Sequence, residues 1–306
     1  MDKRKLIVIG GPTAAGKTSS SIALAREIGG EIISCDSMQV YRMMDIGSAK
    51  IRQSEMQGIP HHLVDVLDPK ERFDVTVFQR LAKEAIEAIC ERGKIPIMVG
   101  GTGFYLQAVL YDVDFTETRE DALLRESLYR YAKEYGAEAL HERLFSVDPE
   151  SAEAIPAGNV KRVARAIEFY ELSGQKISEH NDRERKKEPP YDYRFFVLNL
   201  DREKLYRRID ERVDSMMESG LLSEVERLKE YGCTRDMTSM QGLGYKQLFA
   251  YLEGETTLDE AVGRIKRETR HFAKRQITWF KREPRAEWID IEKENLIDAY
   301  RNGLHS

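Results

Sequence analysis

Residues 6–18 read Leu6-Ile7-Val8-Ile9-Gly10-Gly11-Pro12-Thr13-Ala14-Ala15-Gly16-Lys17-Thr18. Four apolar residues run into G-x-x-x-x-G-K-[ST], and a helix-like stretch follows, which is the context a phosphate-binding loop needs. In such a loop Gly11, Pro12, Thr13, Ala14, Ala15 and Gly16 wrap backbone around a phosphate, whose charge the N–H groups and the helix N-terminus complement. Lys17 then reaches the outer phosphate, and the Thr18 hydroxyl is a candidate ligand for Mg²⁺. The motif does not say which phosphorylated molecule is gripped, nor whether a nucleotide also binds.

Outward from the loop, the first third of the chain alternates short apolar runs with helical spacing, the pattern of parallel strands joined by helical crossovers. The expected fold class is α/β, a P-loop NTPase-like parallel sheet with a mostly helical insertion. Leu6–Ile9, Glu31–Ser34, Leu63–Val66 and Ile95–Val99 are the first strand candidates, with helices over Gly16–Ile28 and Thr76–Cys90. From Thr116 to Pro190 the texture turns to charged helical segments without a convincing strand, so residues 116–190 are expected as the insertion and residues 1–115 with 191–306 as the core. A strand candidate returns at Arg194–Leu200. Helices are expected near Arg202–Glu218, Leu221–Tyr231, Gln241–Leu252 and Leu258–Phe280, with a last strand around Glu287–Ile291.

Composition narrows the class. In 306 residues, 41% hydrophobic and 33% charged, there is material for a large core, and a net charge of −5 argues against a general nucleic-acid coat while leaving room for local basic surfaces. The three cysteines, Cys35, Cys90 and Cys233, lie far apart with no C-x-x-C pair and read as reduced thiols. No apolar run approaches the roughly 20 residues that cross a bilayer, and Met1-Asp2-Lys3-Arg4-Lys5 before Leu6 is too short for a signal peptide. The expectation is a cytoplasmic enzyme, monomeric and without membrane partners.

A nucleotide-hydrolysing loop works with a carboxylate ending another strand. Here Ile95–Val99 runs instead into Gly100-Gly101-Thr102-Gly103-Phe104-Tyr105. The nearest acidic candidate is Asp36, in Ser34-Cys35-Asp36-Ser37-Met38-Gln39-Val40-Tyr41, beyond the second strand and so on the loop's edge of the sheet. Spacing alone leaves it as a base, a ligand of a metal shell, or a turn residue.

These residues resemble one family, the tRNA dimethylallyltransferases. The phosphate loop, Asp36-Ser37-Met38-Gln39-Val40-Tyr41, Asp45-Ile46-Gly47-Ser48-Ala49-Lys50, Pro60-His61-His62-Leu63-Val64-Asp65 and Val99-Gly100-Gly101-Thr102-Gly103-Phe104-Tyr105 stand in the family's order. Lys161-Arg162-Val163-Ala164-Arg165-Ala166, Gln241-Gly242-Leu243-Gly244-Tyr245-Lys246 and Lys274-Arg275-Gln276-Ile277-Thr278-Trp279-Phe280 follow, so that the likeness spans residues 5–285; Ser48 and Ile51 depart from the expected Thr and Pro. The resemblance implies dimethylallyl diphosphate as donor, Mg²⁺, and an acceptor adenine beside the anticodon, with the insertion gripping the anticodon arm. It makes Gly16, Lys17 and Thr18 stabilisers of a leaving diphosphate, Asp36 the proton acceptor, and Ser37, Met38 and Gln39 the seat of the adenine. It also implies tRNA contacts at Thr102, Arg125, Lys161, Arg162, Val163, Ala164 and Arg165, and at Gln241, Gly242, Leu243, Gly244, Tyr245 and Lys246.

Read from the residues themselves, Arg264–Arg282 is the most basic helical stretch, with Glu268 its single acid. It is either a phosphate-facing surface or a solvated helix carrying the stripe Ile265, Thr269, Phe272 and Gln276. Lys161, Arg162 and Arg165 share a helical surface suited to backbone phosphates, and the stretch of Gly242, Gly244 and Tyr245 is either a close approach to RNA where the aromatic can stack on a base or a tight turn between helices. His61 and His62 diverge as neighbours and carry no role. Three readings compete: the prenyl transfer, a small-molecule kinase or free-nucleotide prenyltransferase, and a non-catalytic RNA-binding module with a vestigial loop. The basic insertion and C-terminal helix favour a large polyanionic acceptor.

Overall fold

The computed structural model describes residues 3–115 and 121–303. The expected start of the insertion at Thr116 therefore lies outside the described residues. Two compact units are present, Met1–Val109 with Pro190–Ser306, and Leu110–Pro189.

The first unit is built on six parallel strands: β1 (Arg4–Gly10), β2 (Gly30–Ser34), β3 (His61–His62), β4 (Ile95–Val99), β5 (Tyr191–Asn199) and β6 (Ala286–Asp290), in the spatial order β3-β2-β4-β1-β5-β6. Leu6, Ile7, Val8 and Ile9 are all buried, as a central parallel strand covered on both faces requires. In register, Ile9 opposes Val99 on one side and Phe196 on the other, so β1, β4 and β5 end together at the carboxyl edge. The chain leaves β1 for β2 by way of α1 (Lys17–Ile28) and takes up β5 on the opposite side, so the strand order reverses beside β1, where open α/β sheets bind ligands.

Helix α2 (Val75–Glu91) begins where Asp74 accepts hydrogen bonds from the Thr76 and Val77 amides, and it buries Phe78, Ala82, Ile86 and Ile89 at helical spacing. After β4 comes α3 (Gly103–Leu110). Ile7, Ile9, Ile22, Leu24, Phe196, Leu205, Ile209, Ala273 and Leu296 share one apolar cluster with residues of α1, α9 (Arg202–Glu218), α12 (Leu258–Phe280) and α13 (Leu296–Asn302). Thr257 opens α12 with a capping box to Glu260, the signal that makes its start legible in sequence.

Two elements depart from expectation. The third strand is His61–His62 rather than Leu63–Val66, because Leu63 and Asp65 take φ of 62° and 56°, which no strand accommodates. Gln241–Leu252 is not one helix: a 3-10 turn over Ser239–Gln241 is followed by Gly244 at φ 93°, and only then by α11 (Tyr245–Leu252).

The second unit is helical: α4 (Ala122–Tyr135), α5 (Ala137–Val147), α6 (Pro149–Ala154), α7 (Val160–Ser173) and α8 (Ile177–Lys186). Asp121, Asp148 and Asn159 cap the starts of α4, α6 and α7, Pro149 opens α6, and Gly174 closes α7 at φ 72°. Leu128, Leu140, Leu144, Ile155, Val163, Ala164 and Ile167 form its core.

Candidate active site

The phosphate loop owes its shape to close packing. A Cβ on Gly11, at φ 141°, would stand 2.4 Å from the Leu198 carbonyl oxygen of β5. Ala14 is held at φ 64°, a conformation an L-residue adopts only when its surroundings impose it. No side chain caps α1 and no acid sits in its first turn, so its N-terminal N–H groups remain suited to an anion. Lys17 Nζ donates to the Gly11 and Pro12 carbonyls at 3.0 and 2.7 Å, which lays the ammonium along the loop. Burial, helped by the Arg212 charge and opposed by Asp36, pushes that ammonium down to about 8.

A residue outside the loop fixes it. Gln276 of α12 is buried; its Oε1 accepts the Thr13 N–H at 2.9 Å and its Nε2 donates to the Gly101 carbonyl at 3.0 Å. One amide thus clamps the phosphate loop to the turn after β4, and the Thr13 N–H is already engaged. The same packing explains Gly100-Gly101-Thr102-Gly103: Cβ atoms there would meet the Cys35 carbonyl at 2.5 Å, Gln276 at 2.0 Å and Trp279 at 2.1 Å. Glycines stand after β4 because α12 and the β2 turn come this close.

Asp36 follows β2, where its Oδ1 accepts the Met38 amide at 2.8 Å and the Gln39 amide at 3.4 Å. The turn role engages Oδ1 alone and leaves room for a chemical role, since among the described residues Oδ2 takes no hydrogen bond. Asp36 lines a cleft of about 550 Å³ together with Thr13, Ser37, Met38, Thr102 and Arg212. Its apolar lining comes from Ile209, Val213, Met216, Leu221, Ile265 and Phe272. The stripe on α12 is accordingly a cleft wall: Ile265, Thr269, Phe272 and Gln276 all face it.

Arg212 carries no motif in the sequence. Burial pushes its guanidinium down while Asp36 pulls it up. Its one signal is a cation between Ile209 and Val213, which α9 buries. A basic residue on the apolar face of a helix needs a partner or a ligand.

Several expected tRNA contacts have other roles. Val163 and Ala164 are fully buried in the insertion core, so they cannot meet RNA. Arg125 and Arg165 both donate to Glu168 Oε2, at 2.7 and 2.8 Å, and Glu168 is completely buried. Burial raises the Glu168 carboxyl, but these two guanidinium groups and the Asp121 amide outweigh it and hold the group below the ordinary range. Tyr245 is also buried, its hydroxyl donating to Glu224 at 2.7 Å, so its ring is not available for stacking. Gln39 spends its amide on the Ser48 and Ala49 carbonyls and on the Ser34 hydroxyl, and acts as a strut rather than an adenine contact. On α12, Lys266 and Arg270 pair with Asp214 and Asp210 of α9, two acids that lie outside the basic stretch Arg264–Arg282.

Other expected residues do face open space. Gln241, Gly242, Leu243, Gly244 and Lys246 line the same cleft as Asp36, where a Cβ on Gly242 would meet Met38 Sδ at 2.7 Å. Within the insertion, Lys161, Arg162 and Arg165 border a separate surface cavity of about 290 Å³. Lys274, Arg275 and Arg282 gather with His271 and Trp279 on one face of α12 and just beyond it. For Mg²⁺ the structure offers an exposed Thr18 in the first turn of α1, and among the described residues no group of three or more His, Cys, Asp or Glu that could hold a metal. This donor set fits an ion carried mainly by phosphate oxygens, as Mg²⁺ commonly is.

The IPP transferase family model matches residues 39–283. A tRNA dimethylallyltransferase of Lachnoclostridium phytofermentans is 56% identical over 290 residues, 95% of this chain and 93% of that one. Its counterpart in Carboxydothermus hydrogenoformans is 50% identical over 292 residues, 95% and 94% of the two chains. The solved tRNA isopentenylpyrophosphate transferase of Bacillus halodurans is 43% identical, with a TM-score of 0.73 over 99% of this chain and 95% of that one. A eukaryotic dimethylallyltransferase, described as acting on tRNA, is 33% identical with a TM-score of 0.81 over 97% of this chain and 77% of that one. Identities this high over nearly the whole length, on a parallel α/β sheet whose phosphate loop and Asp36 share one edge, establish that the chain belongs to the tRNA dimethylallyltransferase family.

Proposed function

We propose that the enzyme transfers a dimethylallyl group from dimethylallyl diphosphate to the exocyclic amine of the adenine 3′-adjacent to the anticodon of tRNA, releasing diphosphate. The observation that carries this reading is the composition of one cleft, which joins the edge of the phosphate loop, the carboxylate of Asp36 and the cation of Arg212 to an apolar lining. Diphosphate needs the first and third of these, a five-carbon hydrocarbon needs the fourth, and an amine that loses a proton needs the second. No carboxylate ends β4, which favours a loop that holds a leaving diphosphate over one that hydrolyses a nucleotide.

The bond from the allylic carbon to the diphosphate oxygen breaks, and a bond from the adenine nitrogen to that carbon forms. Charge grows on the departing diphosphate, and Lys17, Arg212 and the α1 N-terminus complement it. The attacking nitrogen becomes positive, and Asp36 Oδ2 accepts its proton. Thr18 would help to hold a magnesium ion brought in with the diphosphate, which when bound would add positive charge beside the leaving group. Ser37 and Met38, with the Gln241–Lys246 turn, border the space for the base, while Lys161 and Arg162 meet backbone phosphates of the anticodon arm. In this reading the enzyme works in the cytoplasm as a monomer.

The test is release of inorganic diphosphate on mixing enzyme, dimethylallyl diphosphate, Mg²⁺ and tRNA without ATP. Release that requires both donor and tRNA is expected. Turnover that depends on ATP instead would support the kinase reading.

A further inference from the structure

Glu224 sits outside every motif considered above, in a stretch of α10 (Leu221–Glu230) that reads as an ordinary amphipathic helix. It is nevertheless buried, 1% exposed, and its carboxylate accepts four hydrogen bonds. Oε2 takes the amides of Asp45 and Ile46 at 2.9 and 2.8 Å; Oε1 takes the Gly47 amide at 3.1 Å and the Tyr245 hydroxyl at 2.7 Å. Three consecutive amides turned toward one carboxylate form an anion-binding nest, and the position of Glu224 in the first turn of α10 adds the favourable end of the helix dipole.

The four bonds join segments far apart in sequence. Gly47 packs on the Tyr245 ring so closely that a Cβ would stand 2.6 Å from it. Gly47 and Ser48 line the cleft from one side, and Gly242, Leu243 and Gly244, immediately before Tyr245, line it from another. Beyond Gly47, the carbonyls of Ser48 and Ala49 receive the Gln39 amide, whose own backbone N–H reaches Asp36 Oδ1. A continuous path of hydrogen bonds and backbone therefore runs from Glu224 through residues 45–49 to Gln39 and the carboxylate of Asp36.

We propose that Glu224 is a positioning residue for the transfer, fixing the Gly47–Ser48 wall and, through Gln39, the orientation of Asp36 toward the acceptor base. This rests on the prenyl-transfer reading above. The phosphate loop is held separately, by Gln276, so loss of Glu224 should disturb the acceptor side and spare the donor side.

Glu224→Gln keeps the shape but presents an amide NH₂ to groups that are themselves donors; Tyr245→Phe removes one of the four bonds at almost constant volume. Single-turnover transfer is measured at saturating tRNA and dimethylallyl diphosphate, normalised to the concentration of donor-binding sites. For Glu224→Gln a fall of about tenfold or more is expected, since displacement of a reacting group by about 1 Å costs up to roughly 10²-fold. Tyr245→Phe should give a smaller fall in the same constant, and both variants should bind donor as the parent does. A purely structural role would lower donor sites and turnover together and leave the normalised rate unchanged, which would overturn the proposal. Should Glu224→Gln not fold, Tyr245→Phe alone decides, with an unchanged normalised rate counting against it. Absence of transfer by the parent would instead overturn the function on which the proposal rests.

Discussion

In the proposed reaction Asp36 combines two duties on one carboxylate, and the pairing makes its substitution informative. Asp36→Asn keeps an oxygen for the Met38 and Gln39 amides but removes the base. Single-turnover transfer should fall by about 10² to 10⁴ while tRNA and donor binding change little. A rate within about threefold of the parent, under ~1 kcal/mol in barrier, would reject Asp36 as base. Lys17 gives a pH signature. Its ammonium, pushed down to about 8 by burial and Arg212, loses its proton in the free enzyme above that pH, and diphosphate needs the charge. Donor kcat/KM should therefore decline as pH rises through about 8, and Lys17→Arg, which stays protonated, should remove that limb. A decline that persists in Lys17→Arg would assign it to another group. Of these residues, the loop and Asp36 were legible because they belong to contiguous motifs. Arg212 was not, and Gln276 stood in a quoted motif and in the α12 stripe without a role of its own, because what each does comes from what faces it across the cleft and not from its neighbours in the chain.

At the scale of elements, α7 shows why a basic cluster in a sequence is not yet a binding surface. Lys161, Arg162 and Arg165 share a helical surface, but the half-buried Arg165 is tied to the buried Glu168 while Lys161 and Arg162 are exposed. Replacing Lys161 and Arg162 together by neutral residues should weaken tRNA binding and reduce the slope of log K against log salt by about 0.7 to 0.9 for each phosphate no longer neutralised. An unchanged slope would remove them from the tRNA site. Glu168 carries a separate prediction. Its folded pKa lies below the unfolded value, so its contribution to stability is present above the unfolded pKa and is lost as pH falls through the depressed folded one. Protection from hydrogen exchange in α4 and α7, taken relative to the intrinsic rate at each pH, should fall on acidification through that window, and Glu168→Gln should already be less protected at neutral pH; equal protection in both proteins would contradict this. The helices of the core were readable from apolar spacing, whereas those of the insertion were read only as charged helical segments, their caps at Asp121 and Gly174 becoming clear in the structure. The third strand was misplaced because Leu63 and Val66 are apolar, whereas the backbone at Leu63 and Asp65 turns left-handed, which composition does not reveal.

Over the whole molecule, the parallel sheet could be anticipated from alternating strands and helices, but its order could not. Strand β5 follows the insertion in sequence yet lies beside β1, and only that pairing brings α9 and α12, with Arg212 and Gln276, to the edge that carries the loop. The edge of the phosphate loop, the Asp36 carboxylate, the apolar lining and the Arg212 cation thus come from segments spread along the chain up to residue 276, and the proposed reaction needs them in one cleft. No helix of the described residues is long and apolar enough to cross a membrane. In the proposed reaction this cleft joins an allylic carbon to an adenine of tRNA. This is tested most directly by incubating unmodified tRNA with the enzyme, Mg²⁺ and dimethylallyl diphosphate, then digesting the RNA and measuring nucleoside masses. One adenosine per tRNA, immediately 3′ to the anticodon, should be heavier by one dimethylallyl group in place of a hydrogen, without ATP, and this product should be absent with Asp36→Asn over the same short interval. Unaltered adenosine under these conditions, or a phosphorylated product formed from ATP, would contradict it.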